Sequence, residues 1–297
     1  MIGQWLHRFR THRKMTQDQL VLALMNFSES FARLNTVTVS RWETGRTTPG
    51  VGKKREILRF LMKEGFLDEP WVREEMERLF RRHRGRILEA AGKGFHHIVG
   101  NFPELEEGCS EQWELDSTER SDRHLEQIVE IERAMGERGY SRLELVRLKE
   151  WLEASDHLAL VCGRKGQHTG HCLIFRLSRE AAGEILHNRR SWYDLSAKDF
   201  RKRGEPGTMF FAALYARSPQ VLARLLERHY RFLLERHYLV DGVVVHTTRE
   251  DEILSLTSEY GLEVADSGKL PSGLPWYGLY ATLEDLLFSE EIVRNYF

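Results

Sequence analysis

The chain is short of cysteine, of unbroken apolar sequence and of net charge, and each shortage closes off a class of protein. Three cysteines (Cys109, Cys162, Cys172) in 297 residues cannot build a disulfide framework, which points to a reducing cytoplasm. No stretch reaches eighteen uncharged apolar residues, so no membrane-spanning helix is expected. The opening MIGQWLHRFRTHRKM has neither the apolar core nor the small-residue cleavage site of a secretory signal. A Ser-His-Asp pattern and a glycine-rich nucleotide fingerprint are both missing. Net charge is −1, which taken alone argues against a nucleic-acid partner.

What is present reverses that last inference. The chain is 41% hydrophobic and 30% charged, enough apolar residues for packed cores, and its length favours two domains over one. Residues 1–65 hold twelve Lys+Arg against five Asp+Glu, a balance of +7. The rest holds 32 basic against 40 acidic residues, or −8. A basic module beside an acidic body predicts one polyanion-binding end.

The basic module reads as short helices broken by polar turns. Trp5, Leu6 and Phe9 recur at helical spacing. Thr16 is placed to cap a second helix that opens with Gln17-Asp18-Gln19-Leu20. A third helix spans the segment from Asn35 to Gly45, where Gly45 is the stop and Pro49 follows. Val39 and Trp42 face inward, and Thr36, Val37, Ser40 and Arg41 face outward.

The sequences MTQDQL and TVTVSRWETGRTTP resemble those of Cro/repressor-type (XRE) helix-turn-helix proteins over about residues 3–63. The resemblance implies a double-stranded DNA operator as partner, with the third helix in the major groove. Thr36, Val37 and Arg41 then occupy base-reading positions, with Arg41 able to bond guanine O6 and N7 and Val37 a thymine methyl. Thr38 and Ser40 become phosphate or secondary contacts, and Arg46 of the same motif joins the DNA-binding set. Gln17 would hold a phosphate. Arg10 and Glu43 match the family's internal ion pair. This chain departs from the pattern by about eight extra residues, FSESFARLN, which lengthen either the second helix or the turn.

Residues 67–111 read as a connector. Its first part, 68–92, carries Trp71, Met76, Leu79, Phe80, Ile87 and Leu88 on a charged helix, a stripe suited to homodimerisation because such heads usually bind two half-sites. Residues 92–112 read as a linker, and His96-His97 lack a metal spacing.

From residue 112 to 297 the periods alternate between strand and helix. A strand at 112–119 precedes two helices, a hairpin of 157–163 with 171–177, and a polar excursion at 179–206. An almost wholly apolar strand, 208–216, is expected at the centre of its sheet. Ser218-Pro219 opens a long helix, followed by strand 243–246, helix 250–260, a strand at GLEVAD and a closing aromatic strand. This order, with TREDEILSLTSEYGLEV, resembles the GNAT acyltransferase fold over roughly 112–288. The whole is therefore expected to be multidomain, an all-α head (1–66) joined to an α/β body with a mixed central sheet.

The GNAT resemblance implies an acyl-CoA held on backbone amides of a glycine loop before the long helix. Here that loop, Tyr215–Ala223, has no glycine, and Pro219 removes an amide. Thr257 stands where the family has its general-acid Tyr, and Glu250 where it has Asn. These departures favour a degenerate domain without cofactor or catalytic residues, one that senses a small molecule or contacts a partner. An active N-acetyltransferase fused to a helix-turn-helix domain is the alternative. The expected ligand site comprises Tyr215, Arg217, Ser218, Trp276 and Tyr277, with Trp192 and Tyr193 as further aromatic walls. Cys162, His168, His171 and Cys172 cluster on one hairpin, and buried thiols are expected there in preference to a metal or disulfide. The ERHY repeat (227–230 and 235–238) is expected on a polar helix surface.

Overall fold

The computed structural model describes residues 2–82, 111–114, 122–135, 143–164, 167–258 and 260–296. Two compact units emerge, one of Met1–His83, Glu259–Gly261 and Leu287–Phe297, the other of Arg84–Ser258 and Leu262–Leu286. No helix among the described residues is long and apolar enough to cross a membrane.

The first unit opens with five helices: α1 (Ile2–His12), α2 (Gln17–Phe27), α3 (Thr36–Glu43), α4 (Val51–Lys63) and α5 (Pro70–Arg82). Thr16 caps α2 in a reciprocal box, accepting from the Gln19 amide at 3.2 Å while its own amide donates to Gln19 Oε1 at 2.8 Å. Asn35 caps α3, its Oδ1 accepting from the Thr38 amide at 2.8 Å. Of the extra FSESFARLN residues only Phe27 belongs to α2, and the rest form the turn. Ser28 ends α2, and Glu29–Phe31 form one 3₁₀ turn that buries Phe31. Gly45, at φ 71°, closes α3 in the left-handed region.

Trp5, Leu6, Phe9, Leu20, Val39 and Trp42 are buried in this unit. A Cβ on Gly3 would lie 1.8 Å from the Trp42 carbonyl oxygen, so α1 approaches the end of α3 at a distance only glycine permits. The stripe expected for dimerisation begins inside the head. Trp71 meets Phe66 at 5.2 Å and Trp5 at 6.5 Å between ring centroids, and Val72 and Met76 are buried. The expected contacts at Ile87 and Leu88, His96-His97 and the linker up to residue 110 lie outside the described residues, and residues 111–112 of the expected linker are strand.

The expected body ran to residue 297, but Leu287–Phe297 belong to the head unit. There the C-terminal helix Glu290–Tyr296 packs on α4, with Leu287, Phe288 and Val293 fully buried.

The body is built on β1 (Glu111–Glu114), α6 (Asp122–Met135), α7 (Leu145–Ala154), β2 (His157–Arg164), β3 (Gln167–Leu177), α8 (Arg179–Leu186), β4 (Gly207–Ala216), α9 (Pro219–Glu235), β5 (Val240–Thr247), α10 (Glu250–Ser258), β6 (Glu263–Lys269), β7 (Pro275–Thr282) and α11 (Leu283–Leu287). Its seven strands run in the order β1-β2-β3-β4-β5-β7-β6. Among the described strands only β4 and β5 pair in parallel, as a strand–helix–strand crossover through α9 requires. The apolar β4 is central, as its composition predicts, and the mixed sheet is the one the GNAT resemblance implies. The expected first strand is described only to Glu114.

One face of the sheet buries Phe210, Ala213 and Val244 with Leu125 and Ile128 of α6 and Leu148 and Trp151 of α7. On the other, α9 packs against β2, β3 and β4. The excursion at 179–206 is not a free loop. Its helix α8 lies on β4, β5 and β7, burying Ala181, Ala182 and Ile185. A Cβ on Gly278 would fall 1.8 Å from the Leu186 carbonyl oxygen, so β7 accepts α8 only through a glycine.

Candidate functional site

The head offers α3 as a surface. Val39 and Trp42 are buried, while Val37 is 57% exposed and Arg41 and Arg46 are exposed. Thr36, Thr38 and Ser40 are half-buried, and the Thr38 hydroxyl donates to Asn35 Oδ1 at 2.9 Å. Gln17, half-buried at the start of α2, is tied into the head. Its amide nitrogen donates to Glu43 Oε2 at 2.7 Å. Arg10 reaches the same carboxylate through Nε at 2.7 Å and Nη2 at 3.1 Å, and donates through Nη1 to the Met15 carbonyl at 3.1 Å. Glu43, with 4% of its side chain exposed, thus ties α1, α2 and α3 together. Burial alone would raise its pKa, but the bonds from Arg10 and Gln17 hold the carboxyl below its ordinary value.

In the body, the parallel pairing of β4 with β5 ends at Phe211↔Val245. Beyond that point β4 pairs only with β3, and β5 only with β7. The two central strands therefore fork. His246, the next residue of β5, stacks on Trp276 at 5.7 Å and 13°. Its buried Nε2 has no hydrogen-bond partner among the described residues, and burial pushes the imidazole down to about 4. His246 lies two residues after Val244, and Tyr215 two after Ala213, so by strand alternation both occupy the face covered by α6 and α7.

Three amides around the start of α9 already have acceptors within the fold. Arg217 N–H donates to Thr169 O at 2.8 Å and Leu222 N–H to Ser218 O at 3.0 Å. Val221 N–H donates to Ser218 Oγ at 3.3 Å, and Pro219 has no amide hydrogen. Ser218 is thus a buried helix cap, 1% exposed, and not the ligand contact expected.

The remaining expected residues separate. Trp276 stands on the fork, whereas its neighbour Tyr277 points to the opposite face of β7, so the pair cannot form one wall. Trp192 packs against Trp151 and Phe210, with the Tyr193 ring tilted against it at 4.0 Å and 31°. The Thr257 hydroxyl bonds back to the Ile253 carbonyl at 2.8 Å within α10. The ERHY surface is corrected too: α9 ends at Glu235, and His229, Tyr230 and His237 are each 8% exposed. His229 turns inward because it meets the edge of the Phe211 ring at 5.1 Å.

Cys162 and Cys172 are free, buried thiols whose pKa values burial raises, that of Cys162 to about 11. They are not register partners, since Cys162 lies opposite Gly170 and Cys172 opposite Leu160. Beside them runs a chain of polar groups that sequence alone did not assemble. His168 Nε2 lies 2.9 Å from His171 Nδ1, and His171 Nε2 lies 2.8 Å from Glu132 Oε1 on α6. Tyr215 stacks on His168 at 6.2 Å and 19°. No sequence period connects Glu132 with a hairpin so far along the chain, so only the packing of α6 on β3 reveals it.

No protein-family model and no curated protein matches the sequence. Among solved structures, an aminoglycoside 6'-acetyltransferase type Ii is 12% identical, covering 58% of this chain and 97% of its own with a TM-score of 0.38. Ard1 from Thermoplasma volcanium is 15% identical over 59% of this chain and 97% of its own, TM-score 0.38. A GNAT-family acetyltransferase from Streptococcus pneumoniae is 14% identical over 58% and 98%, TM-score 0.36. At these identities the likeness concerns fold alone.

Proposed function

We propose that the chain joins a DNA-binding head to a body that handles an acyl thioester. The observation that supports the head is the outer face of α3. It presents Val37 and Arg41 to solvent on a helix whose inner side is fixed by Val39 and Trp42, and Arg46 is exposed just past its C-terminal end. Those side chains have the chemistry to read base edges and phosphates, and the +7 balance of residues 1–65 favours a polyanion. In an anisotropy titration against selected duplexes, Arg41→Ala should weaken specific binding by about 1–3 kcal/mol and relax preference at one base pair. Unchanged affinity and preference would remove Arg41 from the base-reading set.

For the body, the fork and His246 favour a working N-acyltransferase over a degenerate sensor. The opening between β4 and β5 exposes strand edges able to bond an extended acyl arm, and His246 Nε2 is a buried polar atom with no partner among the described residues, on that opening's side of the sheet. The amides before α9 do not fit a diphosphate, so the acyl arm should carry the affinity. Acetyl-CoA and an acetyl-pantetheine thioester should therefore bind alike by calorimetry, and both should be consumed in the presence of amines. Strong preference for the diphosphate form would contradict this mode of binding. Binding without turnover would return the body to a sensing role.

A further inference from the structure

We infer that Glu132, His171 and His168 form a proton relay whose open end, His168 Nδ1, takes the proton of an amine nucleophile. The proposal rests on the acyl-thioester reading of the body for its electrophile, and on the geometry of the β2–β3 hairpin for everything else.

The direction of the relay follows from its outer end. A carboxylate only accepts, so Glu132 Oε1 fixes the proton of His171 on Nε2. With both rings neutral, His171 Nδ1 is then a lone pair, which accepts from Nε2–H of His168. That leaves His168 Nδ1 bare. It is buried, in a residue 8% exposed, and has no hydrogen-bond partner among the described residues. A buried acceptor without a donor costs free energy unless a ligand supplies one, and the neighbouring Thr169 hydroxyl is buried without a partner as well. Tyr215, stacked on His168, belongs to the half of β4 that lies beyond the fork.

The surroundings explain why a relay suits this place better than a lone imidazole. Burial, and then His171 with His124 of α6 and Arg217 after β4, push the His168 imidazole down to about 3. A proton retained there would be a buried cation facing other positive groups. Passed along the chain it leaves no interior charge, because each ring gives up one proton as it gains another. Glu132, with 15% of its side chain exposed, is neutralised at the edge. The step balances: the amine nitrogen forms a bond to the thioester carbonyl carbon, the C–S bond breaks, and the thiolate leaves. The amine proton enters at His168 Nδ1 and appears on Glu132, from which the thiolate is reprotonated through solvent.

The test uses the full chain and the variants Glu132→Gln and His168→Gln. The side-chain carbonyl introduced by Glu132→Gln still accepts from His171 but cannot take up a proton, so structure and relay are separated. Acetyl-thioester transfer to a panel of primary amines should fall by about tenfold or more in Glu132→Gln, with the thioester Kd from calorimetry unchanged. His168→Gln, which removes the open end, should lower the rate at least as far. The rate-against-pH profile of wild type should differ from that of Glu132→Gln. An unaltered rate and pH profile would overturn the relay. Independently of turnover, ¹⁵N-histidine NMR should find protons on Nε2 of both rings, and a proton on His168 Nδ1 in the resting protein would overturn it as well. If wild type neither binds nor consumes thioesters, the acyl-transfer reading fails, while the NMR result still decides the wiring.

Discussion

At the scale of single residues, Glu43 shows how one side chain can organise a small domain. A nearly buried carboxylate is costly unless its lone pairs are satisfied by charged or polar donors. Here Arg10 supplies two donors from α1 and Gln17 one from α2. Removing Arg10 strands part of that charge, so Arg10→Ala should destabilise the head by about 1.5–3 kcal/mol. Denaturant unfolding followed through tryptophan fluorescence should register the loss. The pH dependence has a fixed sign. Because the folded carboxyl is held below its ordinary value, its contribution is present above the unfolded pKa and is lost as pH falls through the folded one. Acidification should therefore narrow the gap between wild type and Arg10→Ala. The Arg10–Glu43 pair was legible because the motif around Trp42 carries it. The bond from Gln17 to Glu43 was not legible, because sequence places Gln17 at a helix N-terminus but cannot say that Glu43 stands within reach. His168, His171 and Glu132 remained apart on the page for a similar reason: their chemistry depends on a helix and a hairpin meeting side to side.

Among the elements, legibility followed period. The long helix α9, the apolar β4 and the β2–β3 hairpin each carry a regular pattern, and each formed where that pattern lies. The central position of β4 was readable because both its faces are covered, so nearly every residue is apolar. The polar excursion at 179–206 gave no such signal, since α8 needs only three small or branched residues to seat itself on the sheet. What permits that seat is a glycine on a different strand, Gly278, whose purpose no local reading discloses. The ERHY repeat misled in the opposite direction. His229 is polar by type, yet an uncharged imidazole packs acceptably against Phe211, and burial holds it neutral by lowering its pKa to about 3. The glycine-free loop before α9 kept its significance, but the structure altered its meaning. Beside the absence of glycine stands the fact that the Arg217, Val221 and Leu222 amides already have acceptors.

For the whole molecule, the two ends of the sequence close on one unit. The head begins with α1 and is completed by the segment Leu287–Phe297, although the entire body lies between them in sequence. That arrangement was not legible, because a short C-terminal helix of mixed composition carries no sign of which core will bury it. Its consequence can be measured. Leu287, Phe288 and Val293 are all fully buried, and each such side chain is worth about 1.5–3 kcal/mol relative to exposure, an upper bound when the unfolded chain is itself compact. The helix packs on α4, whereas Val37 and Arg41 lie on α3. Deleting residues 287–297 should therefore lower the midpoint of head unfolding while leaving the chemistry of Arg41 and Val37 in place. If the head binds DNA, the truncated chain should lose affinity as temperature rises, in step with the fraction unfolded, and keep wild-type base preference where it remains folded. Parallel thermal melts and anisotropy titrations over a rising temperature series separate these outcomes. A truncated chain that melts with wild-type behaviour would mean that the terminal helix is an ornament on α4, and that α1 to α5 suffice to hold the head.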